Sequence, residues 1–197
     1  MRHRALLALG LAIALPSGLM AQWSVAFEAT ASYYGGASRD TAADPISVRP
    51  HHPTSFGLRL ERCFGQLGVG VSAALAGPDV IAENNSAGAI VKDALDLFEI
   101  APEAAVLVGR TQSGVAVRFH AGPLIDVWAP QGEDARTRVG GHAALSLEWP
   151  LTARLAGSVR GGVALTSSLF NEGELPGGFE LRAMWRRSVS LGLRYRL

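Results

Sequence analysis

His142, Ser146 and Glu148 carry the most suggestive chemistry in this chain of 197 residues. A serine, a histidine and an acid can supply a nucleophile, its base and the group that orients the base, the set that transfers acyl groups. All three fall on one parity of a single alternating segment. On a strand, same-face neighbours two apart are separated by about 6.6 Å, so His142 and Ser146 would stand about 13 Å apart, beyond hydrogen-bond reach. The spacing favours three separate polar groups on one face over a catalytic set. His120, with Arg118 and Asp126 on its parity, reads the same way. His51 and His52 are adjacent on a loop and lack further ligands at metal-site spacing. Gly68-Val69-Gly70 lacks the third glycine and the following helix of a dinucleotide loop. Cys63 is the only cysteine, which excludes an internal disulfide framework. No catalytic residue, metal or cofactor is assigned.

The elements that position these residues alternate with period two, the signature of strands. Trp23, Val25, Phe27, Ala29, Ala31 and Tyr33 share one parity; Phe56, Leu58 and Leu60 open a second segment; Leu67, Val69, Val71, Ala73 and Leu75 make a third. The fourth carries Phe98, Ile100, Ala104, Val106 and Val108, with a bulge expected at Pro102, which removes a ladder donor. A helix over 92–107 is the competing assignment there. Similar runs follow over 115–127, 139–149 and 151–165, and the last segment runs from Phe179 to Leu197 with one parity, interrupted only by Arg187. As one strand it makes the total eight; a hairpin at 186–188 would make nine. The connections alternate long and short: 38–52, 64–66, 77–93, 109–114, 129–136, 149–151 and 167–178. Both termini then lie at the short-turn end.

The two faces differ sharply in charge. One is apolar throughout, with Arg62, Asp96 and Arg187 at segment ends or the rim. The other carries Glu28, Arg59, Glu61, Glu99, Glu103, Arg118, Asp126, Glu148, Arg154, Arg160, Glu180, Arg182, Arg186, Arg194 and Arg196, seven acids against eight arginines. A charge on a lipid-facing strand at mid-bilayer costs about 2–4 kcal/mol. An apolar outer face with self-neutralising charges inside is therefore the expectation for a barrel in lipid, where an open sheet edge is forbidden. Crossing takes about 9–11 tilted residues per strand, and most segments reach that length. Eight strands enclose an interior that side chains can fill. An Arg–carboxylate network should occupy it.

Residues 1–21 read as a secretory signal peptide: Arg2 and Arg4, then the apolar run 5–15, then Pro16 and Gly18 before Ala21. The domain is then 22–197. Arginine outnumbers lysine seventeen to one, which suits bidentate pairing with carboxylates. The formal charge of +1, with no basic tract, gives no nucleic-acid footprint.

Leu191, Leu193, Tyr195 and Leu197 close the chain in strict alternation. They resemble the C-terminal signal by which bacterial outer-membrane barrels are recognised by the insertion machinery, except that the signal usually ends in Phe. The whole mature chain resembles the small eight-stranded barrels of the OmpA/OmpX type. That resemblance implies an all-β, antiparallel up-and-down transmembrane barrel in a bacterial outer membrane. It implies contact with lipid, and a monomer is expected. Arg186 and Arg187 at the outer rim are either ordinary interfacial arginines or contacts for lipopolysaccharide phosphates, since guanidinium forks suit phosphate. The expected role is structural or surface-interacting and non-enzymatic, with the long loops facing out. A narrow channel or carrier for small or apolar solutes is the alternative, and a lipid A-modifying enzyme is the third class.

Overall fold

The computed structural model describes residues 22–40 and 45–197; residues 1–21, expected to be a signal peptide, lie outside them. Eight long strands close on themselves: β1 (Gln22–Asp40), β3 (Thr54–Phe64), β4 (Leu67–Ala76), β7 (Leu95–Arg110), β8 (Ala116–Pro130), β9 (Arg136–Pro150), β10 (Leu155–Thr166) and β11 (Phe179–Arg196). Each pairs antiparallel with its neighbours. β1 seals the barrel, taking Leu58 of β3 on one side of Phe27 and Leu193 of β11 on the other. The last strand is continuous, so the barrel has eight staves and Arg187 faces out within β11. The termini meet at the short-turn end, where the Leu197 amide donates to the Trp23 carbonyl at 3.0 Å.

Period two decides which side chains fill the interior. Val159 and Leu193 are 36% and 51% exposed on the outer wall, while their neighbours Arg160 and Arg194 are 9% and 5% exposed inside. Leu58, Val71, Leu145, Val163 and Leu191 continue the outward apolar belt.

Two of the expected long loops are partly strand. β2 (Ser47–His51) and β5 (Asp79–Glu83) pair antiparallel, and β6 (Gly88–Val91) turns back on β5. Through Ser38 and Arg39, β1 hands the sheet to β2. The result is a β1–β2–β5–β6 sheet rising past the barrel mouth. Runs of four or five residues are too short to show alternation in sequence, and their partners lie on a different loop.

Pro102 makes no bulge. The register from Ile100↔Ile125 to Ala104↔Ala121 is unshifted, and the irregularity falls between Leu107 and Gly109. That register sets Pro102 against Pro123, so two residues without an N–H share one gap in the ladder. Gly122 lets the strands close there, since a Cβ would collide with the Pro102 carbonyl. A second bulge, between Gly35 and Ala37 opposite Trp185 and Arg182, marks where β1 and β11 leave the barrel wall. Gly36 holds it at φ +84°, in the left-handed region that glycine adopts without strain.

Candidate functional site

The inward-facing residues form three ionic tiers. At the short-turn end, Arg194 of β11 grips Glu148 of β9 at 2.7 and 2.9 Å and Glu61 of β3 at 2.9 Å. Arg118 of β8 approaches the same two carboxylates at 3.6 and 3.8 Å. Cys63 donates its thiol proton to Glu61 at 3.0 Å. In the middle, Glu103 of β7 is a hub. Arg160 donates to it at 2.6 Å, Arg59 lies at 3.4 Å, and His142 and His120 lie at 3.3 and 3.4 Å. Arg59 also pairs with Glu28. Nearer the long loops, Arg186 pairs with Glu99 and donates to the Tyr34 hydroxyl at 3.2 Å. Asp126 stands directly across the β7–β8 ladder from Glu99, so Arg186 faces two acids. Between the middle and outer tiers lies a chamber of about 70 Å³ lined by His142, Arg160, Glu99 and Arg186. That is room for a few water molecules.

An apolar plug closes the long-loop end. Tyr34, Leu95, Leu97, Trp128, Leu169 and Met184 are all buried there, with Tyr34 and Trp128 edge to face at 5.8 Å. Loop 167–178 supplies Leu169 and is clasped over the mouth: Ser168 donates to the Ala37 carbonyl at 2.7 Å, and Arg136 donates to the Leu169 carbonyl at 3.2 Å and to Glu174 at 2.6 Å. Partial burial pushes the Glu174 carboxyl up, but the Asn171 amide and Arg136 pull harder and hold it below its ordinary value.

One arrangement has the order of a hydrolytic relay. Ser146 and the Nε2 of His120 are 2.9 Å apart, and His120 Nδ1 is 3.4 Å from Glu103. Three adjacent strands, β9, β8 and β7, supply one member each. The set is enclosed in the wall and lumen: Ser146 and His120 are 1% and 0% exposed. The chamber is not lined by either and is too small for an acyl chain. Glu103 is shared among four partners instead of orienting His120 alone.

Ligand atoms of Glu61, Glu103 and His120 lie within 4.8 Å of one another, which is metal-like clustering. Here the carboxylates Glu28, Glu61, Glu103 and Glu148 are already matched by Arg59, Arg118, Arg160 and Arg194. A dication would strand buried guanidinium charge, which is strongly unfavourable. The cluster fits a metal poorly. His51 and His52 stack on each other, with His52 against Tyr33, as an outer-rim aromatic pile.

The chain matches no protein-family model and no curated protein sequence. Solved structures do match. Neisserial surface protein A superposes with a TM-score of 0.59 at 13% identity, covering 89% of this chain and 97% of that one. The outer membrane protein OprG of Pseudomonas aeruginosa gives 0.58 at 13% identity, covering 91% and 97%. The fold is that of the small eight-stranded outer-membrane barrels.

Within this outer-membrane barrel fold, most of the expected lumen residues face in: Glu28, Arg59, Glu61, Glu99, Glu103, Arg118, Asp126, Glu148, Arg160 and Arg194 all line the interior. Arg196 is half-buried at the short-turn end, opposite Ser24. Three do not belong to the lumen. Arg154 is exposed in the 151–154 turn, because β10 begins only at Leu155. Glu180 and Arg182 pair with each other at 3.4 Å in the open, beyond the bulge that carries β11 above the mouth. Arg186, considered for lipopolysaccharide, points inward; Arg187 alone of that pair faces out, its guanidinium 4.9 Å over Trp185. Leu191, Leu193, Tyr195 and Leu197 all face outward.

Sequence reasoning missed two features of this barrel. The first is the His120–Ser146 contact. His120 stands opposite Ala144 and Ser146 opposite Arg118, so the pair meets diagonally across the ladder. The second is the plug. Its signal was present: Tyr34, Leu95, Leu97 and Trp128 are large apolar residues on the otherwise charged parity, all near long-loop ends.

Proposed function

We propose that this chain is a non-enzymatic outer-membrane protein whose work is done at the cell surface by the protruding β1–β2–β5–β6 sheet. The carrying observation is the edge of that sheet. β6 pairs only with β5 among the described residues, and all four of its residues are exposed, with Ile90 and Val91 at 48% and 61%. An exposed apolar edge is a template for an added strand, which soluble proteins normally blunt with charge or proline. A partner protein offering an extended segment would extend the sheet through main-chain hydrogen bonds. The ionic tiers and the apolar plug support a filled lumen over the channel or carrier alternative.

The test compares whole cells producing the native protein or Ile90→Pro for adhesion to immobilised extracellular proteins. Proline removes the amide donor of β6 without touching the barrel. Adhesion by the native protein and its loss in the variant support the reading. Equal adhesion by both, or steady conductance steps in planar bilayers, overturn it.

A further inference from the structure

The free edge of β6 has a defined order of donors, acceptors and side chains. The Asn84 amide donates to the Ala87 carbonyl at 2.9 Å and closes the β5–β6 hairpin. Hydrogen-bonded and non-hydrogen-bonded pairs alternate along an antiparallel ladder. The pairs Ala82↔Ala89 and Val80↔Val91 therefore carry the bonds to β5, and Glu83↔Gly88 and Ile81↔Ile90 are the pairs between them. The main-chain groups of Gly88 and Ile90 then point the other way, into the open edge.

The side chains alternate too. Ile81 and Ile90 stand opposite each other on one face of the hairpin, Ile81 8% exposed and Ile90 48%. The apolar row they begin is covered at its inner end only. On the same face Glu83 stands beside Gly88, which offers no side chain. Arg49 binds Glu83 through Oε1 alone, so Oε2 is left over. Lys92, the only lysine in the chain, directly follows β6 and is exposed.

A second β6 complements this edge. Set antiparallel about a twofold axis at Ile90, each Ile90 exchanges its N–H and C=O with the partner's Ile90. Ile81 and Ile90 run on into the partner's Ile90 and the partner's Ile81 as one apolar row. Lys92 comes beside the partner's Gly88, across which the partner's Glu83 is open to it, and symmetry repeats the pair. On the reverse face Ala89 lies opposite the partner's Val91. A slip of one residue would ask for the main-chain groups of Ala89 and Val91, which β5 already holds.

We propose that β6 pairs with β6 of a second copy of this chain, antiparallel and with Ile90 opposite Ile90, so that two barrels share one continuous surface sheet. This names the partner of the edge on which the proposed function rests, and it depends on that reading. It departs from the monomer expected of a small barrel. The paired stretch is short, and anchoring in a membrane supplies the effective concentration that so short a contact needs.

The test mixes Ala89→Cys and Val91→Cys, each in Cys63→Ser protein and folded separately in mild detergent, and oxidises them. Heat-modifiable migration on gels verifies that every barrel is folded. Ala89 and the partner's Val91 would form a non-hydrogen-bonded pair with Cα atoms about 4.5 Å apart, within disulfide reach. The disulfide between the two variants should predominate over those within either one, and Ile90→Pro in both should abolish that preference. Random collision makes the mixed product half of the total, and that proportion overturns the pairing. A predominant disulfide of Ala89→Cys with itself overturns the register. Lys92→Glu should slow the mixed product about fivefold, the worth of two cross-strand charge pairs, and an unchanged rate overturns the charge match. If the products stay random while Ile90→Pro still abolishes adhesion of cells to extracellular proteins, the second copy fails as the partner and the surface reading stands.

Discussion

Arg194 ties β9 to β3: one guanidinium nitrogen holds both carboxylate oxygens of Glu148, and the other holds Glu61. The two acids lie on strands on opposite sides of β11, each one strand removed from it, by way of β10 and β1. A single side chain thus braces the seam at which the sheet closes. Burial of so many charges is tolerable because Glu28, Glu61, Glu103 and Glu148 are matched by Arg59, Arg118, Arg160 and Arg194, and the first prediction follows from the most heavily shared of them.

Glu103→Gln removes the charge that Arg160, Arg59 and two histidines converge on. Breaking a buried pair on one side costs about 3–5 kcal/mol, because the partner charge is left uncompensated. Urea unfolding in lipid vesicles, followed by tryptophan fluorescence, should show that loss. Glu103→Leu combined with Arg160→Met should recover much of it, since an apolar replacement of both partners is often neutral. A single variant as stable as the native protein would contradict the hub.

Gly36→Ala should destabilise the rim by about 1–3 kcal/mol, the usual cost of a residue held in an unfavourable backbone region. Its φ is +84° and its Cβ would strike the Ala183 carbonyl. Hydrogen exchange should rise at Gly35, Gly36 and Ala183 and stay unchanged near Arg194. Uniform exchange along β11 would argue against a local bulge.

Loop 167–178 should loosen in acid. Glu174 is held below its ordinary carboxylate value in the folded loop. A depressed acid stabilises the fold above its unfolded value, and that stabilisation is lost as pH falls through the folded one. Amide protection at Asn171, which donates to Glu174 at 2.9 Å, should therefore fall below the ordinary carboxylate range, while β9 stays protected. Protection of Asn171 that persists there would show that Arg136 is not what closes the loop.

Ser146→Ala should leave the acyl content of cell-envelope lipid A unchanged, because the native protein should not alter it. The variant should cost only about 1 kcal/mol, the net worth of one hydrogen bond, here to His120. Loss of an acyl chain in cells producing the native protein, abolished by the variant, would make the buried relay an active one.

The architecture was legible because alternation survives unbroken over long segments: Val189 to Leu197 kept its parity through the whole end of β11. The closed topology followed from long and short connections. What the sequence hid has definite physical causes. Arg154 shares a parity with Arg160 but falls in a turn, and parity carries no information past a strand end. Glu180 and Arg182 lie beyond a bulge whose extra residue, on β11, is set by Gly36 on another strand. The His120–Ser146 contact depends on register between β8 and β9, which alternation does not specify. The short β2–β5 pairing joins two loops separated by the whole of β3 and β4.

The central claim is that apolar side chains form the outer wall and the arginines neutralise acids within. Spin labels placed at Val159, Leu191 and Ser190, in Cys63→Ser protein reconstituted in lipid, read this directly through collision with oxygen, which concentrates in hydrocarbon, and with a water-soluble nickel complex. Labels at Val159 and Leu191 should be relaxed strongly by oxygen and weakly by nickel, and the label at Ser190 should be shielded from both. Strong nickel relaxation at Val159 and Leu191 would contradict the account.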